Sequence, residues 1–231
     1  MSIGQQVRPE PVSSSSSASD RRFMLYDVSW NFYQSFLKEL ADRGVRLTYD
    51  RGNLELMAPS FRHESLSAIL GRFIEILTME LNIPIRSGKS TTFSRQDLER
   101  GLEPDECYYI QHELLVRGKN ALDLAHDPPP DLAIEVDITS SSINRMAIYA
   151  ALGVAEVWRF DGETLRIFGL GSDGKYEEAE ESSCFPFLPW REFIQFLDEI
   201  PEQDETSLAR SFQSWVRSRI LPKWKEDGHG A

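Results

Sequence analysis

The sequence predicts an α/β domain: a mixed sheet with helices on both faces. Three observations predict it. The 231 residues are 41% apolar and 27% charged, the balance of an ordinary globular protein. Segments with the helical apolar period alternate with segments of period two, in the order helix, hairpin, helix, several strands, helix, strands. One stretch, Asp131 to Ile138, is apolar enough to be a central strand.

The elements follow in order. Residues 1–22 are Ser-rich, with Ser13 to Ser17 unbroken, and lack apolar periodicity, so a disordered tail is expected. One domain over 23–222 and a flexible polar tail over 223–231 complete the chain. Ser29 can cap a helix to about Arg43, with Trp30, Tyr33, Phe36, Leu37 and Leu40 on one stripe and Gly44 as terminator. Val45–Tyr49 and Leu54–Ala58 alternate around Asp50-Arg51-Gly52-Asn53 and read as a hairpin. A helix from about Arg62 to Asn82 buries Leu66, Ile69, Leu70, Phe73, Ile76, Leu77 and Leu81. Strand-like pieces run over Ile85 to Phe93 and Glu103 to Gln111, and a loop runs from Gly118 to Pro130. After the central strand, Thr139 to Ser142 are expected to cap a helix ending near Leu152. Val154–Phe160 and Thr164–Gly169 form a second hairpin, and helices over Trp190–Glu199 and Thr206–Ile220 follow.

Composition excludes several function classes. Two cysteines, with no Cys-x-x-Cys, cannot build a four-thiolate zinc site. No apolar run is long enough to span a membrane, and no apolar h-region opens the sequence, so a cytoplasmic location without a membrane partner is expected. The net charge of −12 argues against a sequence-independent nucleic-acid coat, which needs a basic face to release counterions. It permits an enzyme that meets phosphates through a metal ion. A phosphate-binding Gly-rich loop, a nucleophile elbow and His-Glu-x-x-His are all missing from the sequence. The aromatic residues fall at core spacing.

Four stretches carry candidate chemistry. In the central strand Asp131, Ala133, Glu135 and Asp137 share a face opposite Leu132, Ile134, Val136 and Ile138. Burying Glu135 or Asp137 unpaired costs several kcal/mol. A divalent cation, a basic partner such as Arg145, or a solvated face would each relieve that cost. Glu103, Asp105, Cys107 and Tyr109 share a face of a neighbouring strand that contains Pro104-Asp105. Glu64 lies in the first turn of a helix beside His63, where the helix dipole alone favours an acid. Arg145 shares a helical stripe with Tyr149 and can approach the end of the carboxylate strand.

Together these motifs resemble a known family. Gly52-Asn-Leu54, His63-Glu64, Pro104-Asp105 and Pro130-Asp-Leu-Ala-Ile-Glu-Val136 occur in the order and spacing of the Uma2 family of the PD-(D/E)xK nuclease superfamily. The Ser-rich turn Thr139 to Ser142, Tyr149 and Gly153-Val-Ala-Glu-Val-Trp158 continue the pattern, which covers about 26–200. The resemblance implies a restriction-endonuclease-like fold, a mixed central sheet flanked by helices, with a Mg²⁺ or Mn²⁺ site. It assigns Asp105 to the Pro-Asp motif, Glu135 to the acid of Glu-x-Lys and Glu64 to the additional helical glutamate. These three are the expected metal ligands. Pro130-Asp131 is a rival for the Pro-Asp motif, but it shares a strand with Glu135, whereas the superfamily draws its acids from neighbouring strands. Asp137 stands at the lysine position, and Arg145 stands where relatives carry a lysine in the following helix.

The expected activity is metal-dependent hydrolysis of phosphodiester bonds in DNA. Asp105 and Glu135 would hold the cation, Glu64 or Asp137 would orient a water or bind a second cation, and Arg145 would offset phosphate charge. Glu135→Ala is expected to abolish metal binding while sparing the fold. Arg86, Lys89, Arg95 and Arg145 are the basic residues expected to line the site. Cutting both strands of a duplex would suit a homodimer. The competing reading is an inactive nuclease fold that serves as a binding or regulatory module, which the −12 charge and Asp137 favour.

Overall fold

The computed structural model describes residues 19–40, 43–200 and 202–228. Among the described residues the strands form two sheets. The first contains β1 (Arg21–Leu25), β2 (Arg46–Asp50), β3 (Asn53–Ala58), β5 (Phe93–Arg95) and β6 (Arg100–Leu102), in the order β1-β3-β2-β6-β5 and antiparallel throughout. The second contains β4 (Arg86–Ser87), β7 (Glu106–Tyr109), β8 (Leu132–Val136), β9 (Glu156–Phe160), β10 (Leu165–Leu170) and β11 (Tyr176–Ala179). Its order is β11-β10-β9-β8-β7-β4, and it is mixed because β8 and β9 run parallel. The helix α4 (Arg145–Leu152) links those two parallel strands, as a parallel pair requires. This is the expected α/β, restriction-endonuclease-like class: a mixed central sheet flanked by helices.

Burial organises the layers. β8 is buried along its whole length. Leu132, Ile134 and Val136 meet α2 (Phe61–Glu80), α5 (Trp190–Asp198) and α6 (Glu205–Trp215) in one cluster. The opposite face, with Ala133 and Val157, packs against Ile148, Tyr149 and Leu152 of α4. A smaller core joins α1 (Trp30–Leu40) to the first sheet through Tyr33 and Tyr49, whose rings stack at 4.8 Å. Gly101 of β6 lies against this pair, and a Cβ there would come within 2.3 Å of the Tyr33 hydroxyl. Glycine is therefore a steric requirement at that strand position.

Both expected hairpins form. The first closes through Arg51 and Gly52, which have positive φ of 45° and 91°, between the paired residues Asp50 and Asn53. The long helix starts at Ser60, whose hydroxyl accepts from the His63 amide at 3.2 Å. Three expectations need correction. First, Asp20 to Arg22 belong to the fold: Asp20 is buried, and β1 begins at Arg21. The rest of the Ser-rich segment, 1–18, lies outside the described residues.

Second, the helix after the central strand is capped by Asn144, whose side chain accepts from the Ala147 amide at 3.1 Å. The serine turn does other work. Buried Glu55 of β3 accepts from Ser141 Oγ and the Ser142 amide, both at 2.9 Å, and Arg22 donates to Glu55 at 2.7 Å. Third, the helix past Ile220 continues as α7 (Leu221–Glu226), where a polar tail was expected. Trp224 Nε1 donates to the Leu81 carbonyl at 3.1 Å, and its ring meets Phe187.

Candidate functional site

β7 and β8 pair with Glu106 opposite Ile134. One residue beyond the ladder, Asp105 falls level with Glu135. Two bonds fix it there: the Asp105 amide donates to the Ile134 carbonyl at 3.2 Å, and Asp105 Oδ2 accepts from the Val136 amide at 2.6 Å. Acids from neighbouring strands thus stand side by side, both nearly inaccessible to solvent. The rival Asp131 has a different task. Its Oδ2 accepts from the amides of Ile110 and His112 at 2.6 and 3.0 Å and closes the turn after β7.

Each acid has an arginine. Arg145 donates to Glu135 through Nε at 3.0 Å and Nη2 at 2.6 Å, and the Tyr149 hydroxyl also donates to Glu135 Oε1. Two further Arg145 donors reach Thr48 Oγ1 and the Glu103 carbonyl at 2.8 Å. Four of the five Arg145 N–H donors are therefore engaged inside the protein. Glu135→Ala would strand that guanidinium, so the expectation that this substitution spares the fold is overturned. On the other side, Arg46 contacts Asp105 Oδ1 and lies 3.0 Å from His63 Nε2 and 2.8 Å from Glu64 Oε1. Glu64 reaches the pair only through Arg46. Its side chain is 51% exposed and faces a second cleft of about 230 Å³ with Arg46 and Glu103.

His63 is buried between Asp20 and Asp105. Burial pushes its pKa below the ordinary histidine value against the pull of Asp20. Its Nδ1 lies 3.1 Å from Asp20 Oδ2, and its Nε2 lies 3.0 Å from both the Arg46 guanidinium and Asp105 Oδ1. Burial pushes the Asp20 carboxyl up, but the Ser60 amide bond and His63 carry it below the carboxylate range. Asp137 is different. Burial and the Glu135 charge raise its pKa, while Arg159 Nε donates to it at 2.6 Å.

Glu135 and Asp137 open onto a cleft of about 280 Å³ between the sheet, the start of α4 and the serine turn. Its basic residues are Arg145, Arg159 and Arg166. Arg86, Lys89 and Arg95 do not line it: Arg86 donates to the Lys119 carbonyl, Lys89 to Glu75 and Glu106, and Arg95 to Asp97. A larger cavity of about 840 Å³ beside β10, β11 and α5 contains none of the candidate residues. The sequence reading missed Arg46, Arg159, Arg166, Arg22 and Asp20. The hairpin register alone could have placed Arg159 and Arg166 together.

The oxygen donors of Asp105 and Glu135 suit a hard divalent cation in kind. Their arginines occupy the same oxygens. Among the described residues no three His, Cys, Asp or Glu side chains converge as a ready ligand cluster.

A mixed sheet flanked by helices, with level acids on adjoining strands, is the restriction-endonuclease-like α/β class. The sequence profile of the Uma2 family, described as "Putative restriction endonuclease", matches residues 32–189. The chain belongs to the Uma2 family. No curated protein matches the sequence. Among the described residues no helix is long and apolar enough to cross a membrane.

Proposed function

We propose that the protein is a Mg²⁺- or Mn²⁺-dependent endonuclease that hydrolyses phosphodiester bonds of DNA at the Asp105–Glu135 pair. The observation that supports it best is the placement of these two buried acids level on adjacent strands, with Asp137 two residues along at the cleft. When bound, the cation supplies Lewis-acid polarisation of the phosphate and a more acidic water. Asp105 and Glu135 are the residues that would hold it. Asp137 takes the place of the missing lysine as proton acceptor. Arg145 acts mainly by positioning Glu135, because four of its five N–H donors are already used within the protein. Arg46 and His63 do the same for Asp105.

A specific observation favours a second reading. The oxygens of both acids are already engaged by arginines, tyrosine and a backbone amide, as a binding module without a metal would have them. The test is cleavage of single- and double-stranded DNA with Mg²⁺ or Mn²⁺, run beside Glu135→Gln, Asp105→Asn and an EDTA control. Cutting that needs metal and disappears in both variants supports the endonuclease. Folded protein that never cuts transfers the assignment to the binding module.

A further inference from the structure

The registers of β8, β9 and β10 place three charged residues in one row across the sheet. Glu135 is opposite Arg159, and Arg159 is opposite Arg166. Strand spacing makes each step about 4.8 Å. Directly opposed like charges destabilise a strand pair. Here one of the two is compensated: Arg159 pairs with Asp137. No described carboxylate lies within ion-pair distance of Arg166, which is exposed; its charge acts on Asp161, and it also borders the larger cavity with Glu178, Glu180, Glu181 and Glu192. Phe168 follows two residues along β10 on the same face, half-buried, with the Arg159 guanidinium 5.9 Å from its ring centre. Ser140, Ser141, Asn144 and Thr164 add hydroxyl and amide groups around the same concavity.

We propose that Arg159, Arg166 and Phe168 form a subsite for single-stranded nucleic acid, one nucleotide away from Glu135. The inference rests on the hydrolase reading for its direction, since the row leads away from the acid pair. A phosphate between Arg159 and Arg166 removes their mutual repulsion and receives charge-assisted hydrogen bonds from both. Phe168 offers a ring on which the attached base stacks, as cation-lined grooves with aromatic residues do in single-strand binders. The cleft volume, about 280 Å³, suits one extended nucleotide unit rather than the width of a duplex. The cleft balances Arg145, Arg159 and Arg166 against Glu135, Asp137 and Asp161, and the −12 net charge works against long-range attraction of a polyanion, so binding depends on these local contacts.

The test is fluorescence anisotropy of a short labelled oligothymidylate with the full chain, in EDTA so that nothing is cut. Wild type should bind with an affinity that falls with salt. Phe168→Ala should weaken binding roughly 5- to 100-fold, within the range of a lost base stack. Arg166→Ala should weaken it and lower the salt slope by about one. Arg95→Ala, whose partner is Asp97 outside the cleft, should bind like wild type. Absence of binding by wild type, or equal binding by Arg166→Ala and Phe168→Ala in folded protein, overturns the subsite. Binding that depends on Arg166 in a protein that never cuts DNA keeps the subsite and removes the endonuclease. Cutting that ignores both variants does the reverse.

Discussion

Arg145 and Arg166 border the same cleft, yet the fold treats them in opposite ways. Arg145 is held by Glu135, Thr48 and the Glu103 carbonyl, with only 10% of its side chain exposed. Arg166 is exposed, faces another arginine across the hairpin and has no close carboxylate among the described residues. The contrast shows that a guanidinium's neighbours, more than its distance from the acids, decide its role. A largely saturated arginine neutralises a buried acid and fixes its rotamer. An unsaturated one at the edge of a concavity keeps its donors for an anion.

The largest expected effect breaks this contrast directly. Arg145→Ala leaves Glu135 buried without its counter-charge and should cost about 3–5 kcal/mol. Arg166→Ala should change stability by no more than about 0.5 kcal/mol. Urea unfolding of the two variants measures both; similar losses would show that Arg166 has a structural partner. The second effect concerns the other acid. Because the folded pKa of His63 lies below its ordinary value of 6.5, the unfolded chain binds the extra proton first. Stability is therefore full above about pH 6.5 and falls as the pH drops below it.

Asp20 adds a loss of the same sign below its ordinary 3.8, while Asp137, with its raised pKa, opposes it. Melting temperatures across this range should fall on acidification, and His63→Gln should flatten the upper part of the decline. An unchanged profile in the variant would place the titration elsewhere. The smallest effect tests how α4 delivers Arg145. Asn144→Ala removes the cap on the Ala147 amide and should cost about 1 kcal/mol, read by thermal unfolding. A larger loss would mean that the cap also holds the Arg145–Glu135 pair.

Much of this was legible in the sequence, for local reasons. The hairpin at Asp50–Asn53 follows from Gly52 and alternation, and α2 follows from its apolar period. The strand around Glu135 was visible because its alternation places two acids among apolar residues. The resemblance favoured Asp105 over Asp131 because the superfamily draws its acids from neighbouring strands; Asp131 bonds to the amides of Ile110 and His112 instead. The cap of α4 was misplaced because serines and Asn144 are equally good caps by residue type. Only Glu55, distant in sequence, draws the serine turn away from the helix.

The sequence by itself determined the class of the fold and its main elements, since these depend on period, turn chemistry and residue order. Tertiary structure alone decided which cation meets which acid. Arg46 comes from the first sheet, Arg145 from the helix between β8 and β9, and Arg159 and Arg166 from a hairpin. Buried charge must be compensated wherever it lies, and the compensating residue is chosen by proximity after folding. For that reason Arg86, Lys89 and Arg95, near the acids in sequence, pair elsewhere, while residues far along the chain line the cleft.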